Sequence, residues 1–419
     1  MRPSTARHQH NLRRPTIRQT GHIASLHTVA GEHPKSIRLG IILLACMGLV
    51  LWPAGATELE AEPAQSAEAG RPSGVTVLKR DKLIEGYTLY SSRHTETAHL
   101  IDLDGREVHR WAYPQGKTWH YAQMLANGHL VAIVKDVMIL ELDWHSNLVW
   151  KRTMRAHHDF SRLPSGNTLI VSRRNLKNPW TGSGKLACDI LVEVTPDNEV
   201  VWQWKSEEHA KEIAGHVQLL IPPYERFRDW PHINTIEVLP DGPAAKKDWR
   251  FRAGNLLFCG RHIDTIGVID RMSGKVVWAW GPGELLGPHM PTMLPNGHLL
   301  VYDNGQNASV RVRGYTRIVE LDPITEKIVW QYRAESPESF YSPSRGSNQR
   351  LPNDNTFIAE SDSGRLFEVT KQGEIVWEFL NPDIATNGRR MPLYRAIRYP
   401  KEPVEQLLSQ HESAKSSKK

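Results

Sequence analysis

The sequence predicts an all-β chain folded as a six-bladed β-propeller of four-stranded blades, on three observations. A strand, turn and strand ending in Trp recur six times, closing on Trp111, Trp150, Trp202, Trp278, Trp330 and Trp377. Ahead of this phrase runs another, two apolar runs joined by a Pro-Asn-Gly type turn, as in MLANGHLVAIV, RLPSGNTLIVS, MLPNGHLLVYD and RLPNDNTFIAE. Residues 391–400, left over after the last Trp, supply a strand that the first repeat lacks. Self-similarity over tens of residues marks one supersecondary unit stacked on its copies, and four-stranded units so repeated close radially.

In chain order, residues 1–56 hold seven basic residues against the single acid Glu32, and without them the chain's 52 basic and 46 acidic residues fall to 45 of each. A chain without net charge has no electrostatic reason to bind nucleic acid, which is set aside as a partner. Lys35 and Arg38, an apolar run over 39–52, and Ala54-Gly55-Ala56 before acidic residues have the order of a secretory signal. The expectation is an exported protein, periplasmic or secreted, or one anchored by residues 39–56 as its one membrane contact. The long stretch before the apolar run leaves a later start or an uncleaved anchor open. Because the run continues past Cys46, acylation there is not expected.

Residues 57–79 read as a flexible linker, 80–400 as the propeller and 401–419 as a disordered tail. After cleavage Cys188 and Cys259 remain, without metal-binding spacing, and are expected as buried small residues rather than a bridge.

Within the propeller, Asn and Gly in the turns adopt positive φ cheaply, which makes each turn phrase a hairpin. The second repeat then uses strands near 119–126, 129–135, 137–143 and 147–152. Repeat one offers three strands, and residues 391–400 are expected to pair with them and close the ring. Deleting 391–419 is expected to unfold the chain, and deleting 401–419 is not. Extra residues fall at 174–187, 205–231 and 241–253, and the second of these is read as a lid over the central funnel or, alternatively, a decorative loop.

The opening strand of each blade lines the channel, and there the chain keeps placing His. His120, His158 and His289 each stand five residues before the Leu of the turn phrase, and His232 stands seven before. His157 doubles His158. Blade six offers Arg345 at the equivalent place, the closing strand offers Arg395, and Arg261 follows the second strand of blade four. Four imidazoles in register would converge on one axial pocket. Imidazoles and guanidiniums without carboxylates in register suit an oxyanion such as a sulfuryl or phosphoryl group. Imidazole clusters also hold zinc, copper or iron, but with no Asp or Glu in register and an Arg among them, no metal is expected. No phosphate-binding or dinucleotide loop is present, so no cofactor is expected. Trp119, Trp180, Trp230 and Tyr341 are candidates for an aromatic wall around a phenolic ring.

The phrases HHDFSRLPSGNTLIV, DWPHINTIEVLPDG, GNLLFCGRHIDTIGVIDRMSGKVVWAWG, GPHMPTMLPNGHLLVYDNG and GRLFEVTKQGEIVWEF together make residues 80–399 resemble the bacterial, nucleotide-independent arylsulfotransferases. The ordered set His, His, Arg, His is the specific part of the likeness. The resemblance implies that His289 is a nucleophile that becomes transiently sulfated. It implies that His158 or His157, with His232 and Arg261, holds the sulfuryl oxygens and assists proton transfer. His120, Arg345, Trp119, Trp230 and Tyr341 would bind the substrate. A phenolic sulfate donor and a phenol acceptor would be the partners, in a ping-pong exchange through sulfohistidine. The chain departs from well-known members in showing no additional N-terminal β-domain, which supports dimerisation there, so a monomer is favoured. The alternative from another class is a non-catalytic periplasmic propeller that binds a ligand or scaffolds an envelope complex. Six blades rather than eight argue against a quinone-cofactor dehydrogenase.

Overall fold

The computed structural model describes residues 72–115, 117–180, 182, 184–218, 229–307 and 311–416. They form six four-stranded antiparallel sheets in a ring, as the repeats predict. Blade two runs through Trp119–Met124, Leu130–Val134, Met138–Leu142 and Leu148–Thr153, close to the expected spans. The opening strands of blades three to five are Ala156–Arg162, Ile233–Val238 and His289–Met293, and Ser347–Arg350 opens blade six. Blade one takes Leu393–Pro400 as its innermost strand, antiparallel to Gly86–Ser92, which closes the ring as expected.

Three of the six repeated Trp hydrogen-bond to the next blade. Trp278 Nε1 donates to Glu326 Oε1 at 3.1 Å, Trp330 to Lys371 O at 2.9 Å, and Trp377 to Leu103 O at 2.9 Å. Each acceptor lies in a turn of the following blade, the last of them across the closure from blade six to blade one. Arg162 and Arg271 lie over Trp150 and Trp202, again from the next blade. A large aromatic that packs against the next blade serves at every join, which accounts for its recurrence, and at three joins its indole also binds the neighbour's turn.

Both termini of the propeller depart from the sequence reading. Gly74–Leu78, expected as linker, is a fifth strand on blade six, antiparallel to Ile375–Leu380. A β-branched run covers an otherwise open sheet edge here. Val376 beneath it is fully buried, whereas the equivalent Val149, Val201 and Val329 are 51%, 53% and 51% exposed. Residues 57–71 lie outside the described residues.

The stretch 401–419, expected to be disordered, is helical over Lys401–Ser416. Val404 and Leu407 are buried against Trp144, Leu130 and Leu142 of blade two, with Leu408 beside them. An apolar stripe at three- and four-residue spacing docks a helix whose other residues are polar. Burying a Val and a Leu stabilises by about 3–6 kcal/mol. Removing residues 401–419 therefore leaves a folded propeller with a melting temperature lowered by several degrees, measured by calorimetry; an unchanged value would show the helix to be dispensable.

The insertion 205–231 is not a lid in its described part. Ala210–His216 is a short helix against the outer strand of blade four, where His216 Nε2 lies 3.1 Å from Val276 O and Val276 N donates to Glu212 Oε2 at 2.9 Å. Ile213 is fully buried in the core that also holds Trp204. Its apolar side chain finds that core rather than the funnel. Residues 219–228 lie outside the described residues, and Asp229–Trp230 then adds a short parallel strand to blade three.

Candidate active site

The opening strands bend where they reach the channel mouth. The ladders shift register near Trp119 in blade two, near Ile233 in blade four and just after His289 in blade five. His158, His232 and Met290 have φ of 61°, 65° and 46°. Positive φ in residues with a Cβ costs free energy and clusters at functional sites, and bulges re-aim side chains there. The strain turns two of the imidazoles inward.

The rings that result form a chain. His120 and His158 have centroids 4.6 Å apart, His158 and His232 4.6 Å, and His232 and His262 4.3 Å. His158 N donates to His120 Nδ1 at 3.3 Å, and the Nδ1 atoms of His157 and His158 are 2.5 Å apart. Burial lowers His120 and His158 well below the usual imidazole value, with Lys135 and His120 respectively next in effect. His157 is pushed down to about 4, first by burial and then by Arg173. These rings are neutral near pH 7.

Carboxylates do accompany the imidazoles, which corrects the sequence reading. His232 Nδ1 donates to Asp229 Oδ2 at 2.7 Å, leaving Nε2 with the lone pair when the ring is neutral. Burial opposes ionisation of Asp229, but the charge and hydrogen bond of His232, with His262 and His157, together hold the carboxyl well below its usual range. His157 Nε2 lies 3.1 Å from Asp189 Oδ1 without the alignment of a hydrogen bond. Neither Asp lines the cavity described next. Among the described residues no cluster of three or more His, Cys, Asp or Glu has the geometry to hold a metal ion.

A cavity of about 280 Å³ opens at this mouth. His120, His158, His232, Arg261, Arg345 and Trp119 line it, so six of the ten predicted site residues meet there. The remaining wall is Ser91, Arg93, His94, Thr118, Lys135, Ser344 and Tyr394, without a carboxylate. Arg261 is anchored by Nη2 donating to Pro343 O at 3.3 Å, while its Nε has no partner among the described residues. Arg345 pairs with Asp362.

His289 is 1% exposed and is not part of the cavity wall. Burial holds its pKa well below the usual imidazole value, with the charge of Arg261 next in effect. Its tautomer is fixed by Asn304. The Asn304 amide nitrogen donates to Ser342 O at 2.5 Å and Arg345 O at 2.9 Å, so Oδ1 accepts from His289 Nδ1 at 2.7 Å. The free lone pair is therefore on Nε2. The backbone is equally fixed: Gly287, at φ +61°, would put a Cβ 2.1 Å from Gln306 O, and Pro288 O accepts from Asn234 Nδ2 at 2.8 Å.

Three predicted residues lie elsewhere. His157 stands behind His158 and is buried. Trp230 is packed into the core of blades three and four, with its ring 4.7 Å from that of exposed Trp180, because its short strand pairs with Ala187 and Cys188. Tyr341 donates its hydroxyl to Gln306 Oε1 at 2.6 Å and does not reach the cavity. Neither aromatic forms the expected wall; Trp119 and Tyr394 do. The Tyr394 hydroxyl is buried without a partner among the described residues. Cys188 and Cys259 are both free and buried.

Arg93, Lys135 and Asn304 were missed, although a second register announces them. Lys135, Arg173, Arg261 and Asn304 each stand seven residues after the turn glycine, at Gly128, Gly166, Gly254 and Gly297, and Arg93 follows the matching strand of blade one. The place after each second strand is as close to the mouth as the start of each first strand.

A family model described as arylsulfotransferase (ASST) matches residues 121–382, more than half of the chain. The chain belongs to the arylsulfotransferase family. The match takes in His157, His158, His232, Arg261, His289 and Arg345, while Arg93, Trp119, His120 and Tyr394 fall outside the matched span. No curated protein sequence matches. Among solved structures, a protein of unknown function from Bacteroides caccae aligns with a TM-score of 0.48 at 15% identity, over 76% of this chain and 100% of its own. A catalytically inactive virginiamycin B lyase from Staphylococcus aureus with quinupristin gives 0.43 at 12%, over 73% and 87%. Apo AztD from Citrobacter koseri gives 0.39 at 10%, over 75% and 99%. At these scores none of the three carries an argument about what this arylsulfotransferase-family chain does.

Proposed function

We propose that the protein moves a sulfuryl group from a phenolic sulfate ester to a phenol, in two displacements through His289. The observation that carries this reading is the fixed tautomer of His289, which leaves the lone pair on Nε2 of a ring under the charge of Arg261. In the first step Nε2 attacks sulfur, the S–N bond forms, and the bond from sulfur to the aryl oxygen breaks. The ester threads its sulfuryl end past Arg261 and His232, while the ring rests against Trp119 and Tyr394. Arg261, with donors in a fixed plane, stabilises charge on the equatorial oxygens. His232, oriented by Asp229 and entering the cycle as the imidazolium, gives the departing phenolate its Nε2 proton and, then neutral, takes one from the incoming phenol. In the second step the acceptor oxygen attacks sulfur and the S–N bond breaks, which returns His289 with its lone pair. Atoms balance without a nucleotide or metal.

The two-step route is tested with para-nitrophenyl sulfate as donor and phenol as acceptor. Double-reciprocal plots at several acceptor concentrations are expected to be parallel. Intersecting lines would replace the two displacements by direct transfer, and no release of para-nitrophenol with any acceptor would remove the activity itself. Export belongs to the same proposal. It rests on residues 35–56, which lie outside the described residues, and fractionation of the producing cell checks it.

A further inference from the structure

The cavity holds more positive charge than a sulfate ester needs. An aryl sulfate carries a single negative charge, yet Arg93, Lys135, Arg261 and Arg345 all line the wall. Arg345 is neutralised by Asp362, and Arg261 acts on His289, where the ester would react. That leaves Arg93 after the second strand of blade one and Lys135 after the second strand of blade two. Among the described residues neither has an acidic partner or a side-chain hydrogen bond. The carboxylates nearest Lys135 are engaged elsewhere: Asp136 accepts from Arg173 Nε at 2.7 Å, and Asp229 holds His232.

Both cations are held at a cost. Burial, and after it Arg345, lowers the pKa of Arg93; burial, and after it Arg173, lowers that of Lys135. Asp362 offsets part of this at Arg93, and Asp136 and Asp229 at Lys135, but each of these carboxylates is already paired, and like charges so crowded are relieved when an anion enters between them. Among the described residues no ion pair or side-chain hydrogen bond explains the presence of these two side chains, and both are presented to the cavity.

We propose that Arg93 and Lys135 form a second anion subsite, and that the physiological phenols carry an additional anionic group, a carboxylate or its sulfonate or phosphonate equivalent. The inference rests on the sulfuryl-transfer reading for the place of the ester. The phenolic oxygen points toward His289, and the distal anion of the same molecule lies between Arg93 and Lys135 at the mouth.

Three acceptors of similar shape test it: para-hydroxyphenylacetate, para-ethylphenol and tyramine, with para-nitrophenyl sulfate as donor. The expected kcat/KM for the anion exceeds that for the neutral phenol at least tenfold, about 1.4 kcal/mol, and tyramine is poorest. The advantage lies in KM and shrinks as salt is added. In the Arg93→Gln/Lys135→Met variant the ratio of anion to neutral falls toward unity, and Lys135→Arg keeps it. Replacing the carboxylate by sulfonate or phosphonate separates a general anion site from a carboxylate site. A wild-type ratio near unity, or a ratio untouched in the double variant, overturns the subsite while sulfuryl transfer stands. Should no sulfate ester turn over, calorimetric binding of para-hydroxyphenylacetate against para-ethylphenol still decides it. Tighter binding of the anion, lost in the double variant, supports the subsite, and equal binding overturns it.

Discussion

His289→Asn is expected to lower kcat/KM for release of para-nitrophenol from its sulfate by about 10⁴-fold or more, the scale of losing a nucleophile. The substitution removes Nε2 and little else. An Asn amide can still donate toward Asn304, and the strand start is held independently by Gly287 and by Pro288, whose carbonyl accepts from Asn234. The thermal midpoint should therefore stay within a few degrees of wild type, which separates lost chemistry from lost fold. Wild-type protein exposed to donor without acceptor should gain the mass of SO₃, and the variant should not. Asn304→Leu gives the complementary result: the nucleophile remains but its tautomer is no longer fixed, so the rate falls less and the mass gain persists at longer times. Release in His289→Asn at the wild-type rate would show that sulfur is attacked by another group, and His232, which lines the cavity, would then be the first to replace.

The ring was legible because each blade solves its own problem locally. The turn phrase specifies a hairpin within about ten residues, and Trp278, Trp330 and Trp377 each need a partner one blade on, so the pattern repeats wherever a blade does. The closing strand was legible as a remainder. What escaped depends on contacts that sequence spacing does not carry. Val404 and Leu407 form a stripe too sparse to mark a helix until Trp144 is known to lie beneath it. Gly74–Leu78 looks like linker because its partner is about 300 residues away. Trp230 and Tyr341 sit near strand starts, but successive side chains point to opposite faces and both turned from the channel. The imidazoles were found by register, and the second register of Lys135, Arg261 and Asn304 lay in the same lines of sequence. Asp229 was three residues from His232 and was passed over because it does not recur in the other blades.

Arg395→Met is expected to cost about 3–5 kcal/mol of stability, the effect of stranding a buried charge. Arg395 comes from the closing strand of blade one, and its Nη1 lies 2.9 Å from Asp159 of blade three. Nη2 donates to Asn234 O and Thr235 Oγ1 of blade four at 2.5 and 3.1 Å, and the guanidinium lies 4.9 Å from the ring centroid of Tyr121 in blade two. One buried side chain thus ties the last strand of the ring to three other blades. Without it Asp159 keeps only the amides of Phe160 and Ile236, each at 3.0 Å. Burial already raises the Asp159 pKa in the presence of Arg395, whose charge is the next largest influence and opposes the rise. Removing the guanidinium raises it further, so the folded variant binds a proton more tightly than the unfolded chain. Its deficit against wild type is full above the folded pKa and shrinks as the pH falls through it. Asp159→Asn in the Arg395→Met background should recover part of the loss at neutral pH and flatten that pH dependence, read from urea unfolding at several pH values. A single variant within about 0.5 kcal/mol of wild type would mean that the ladder with Gly86–Ser92 closes the ring without help from the channel axis.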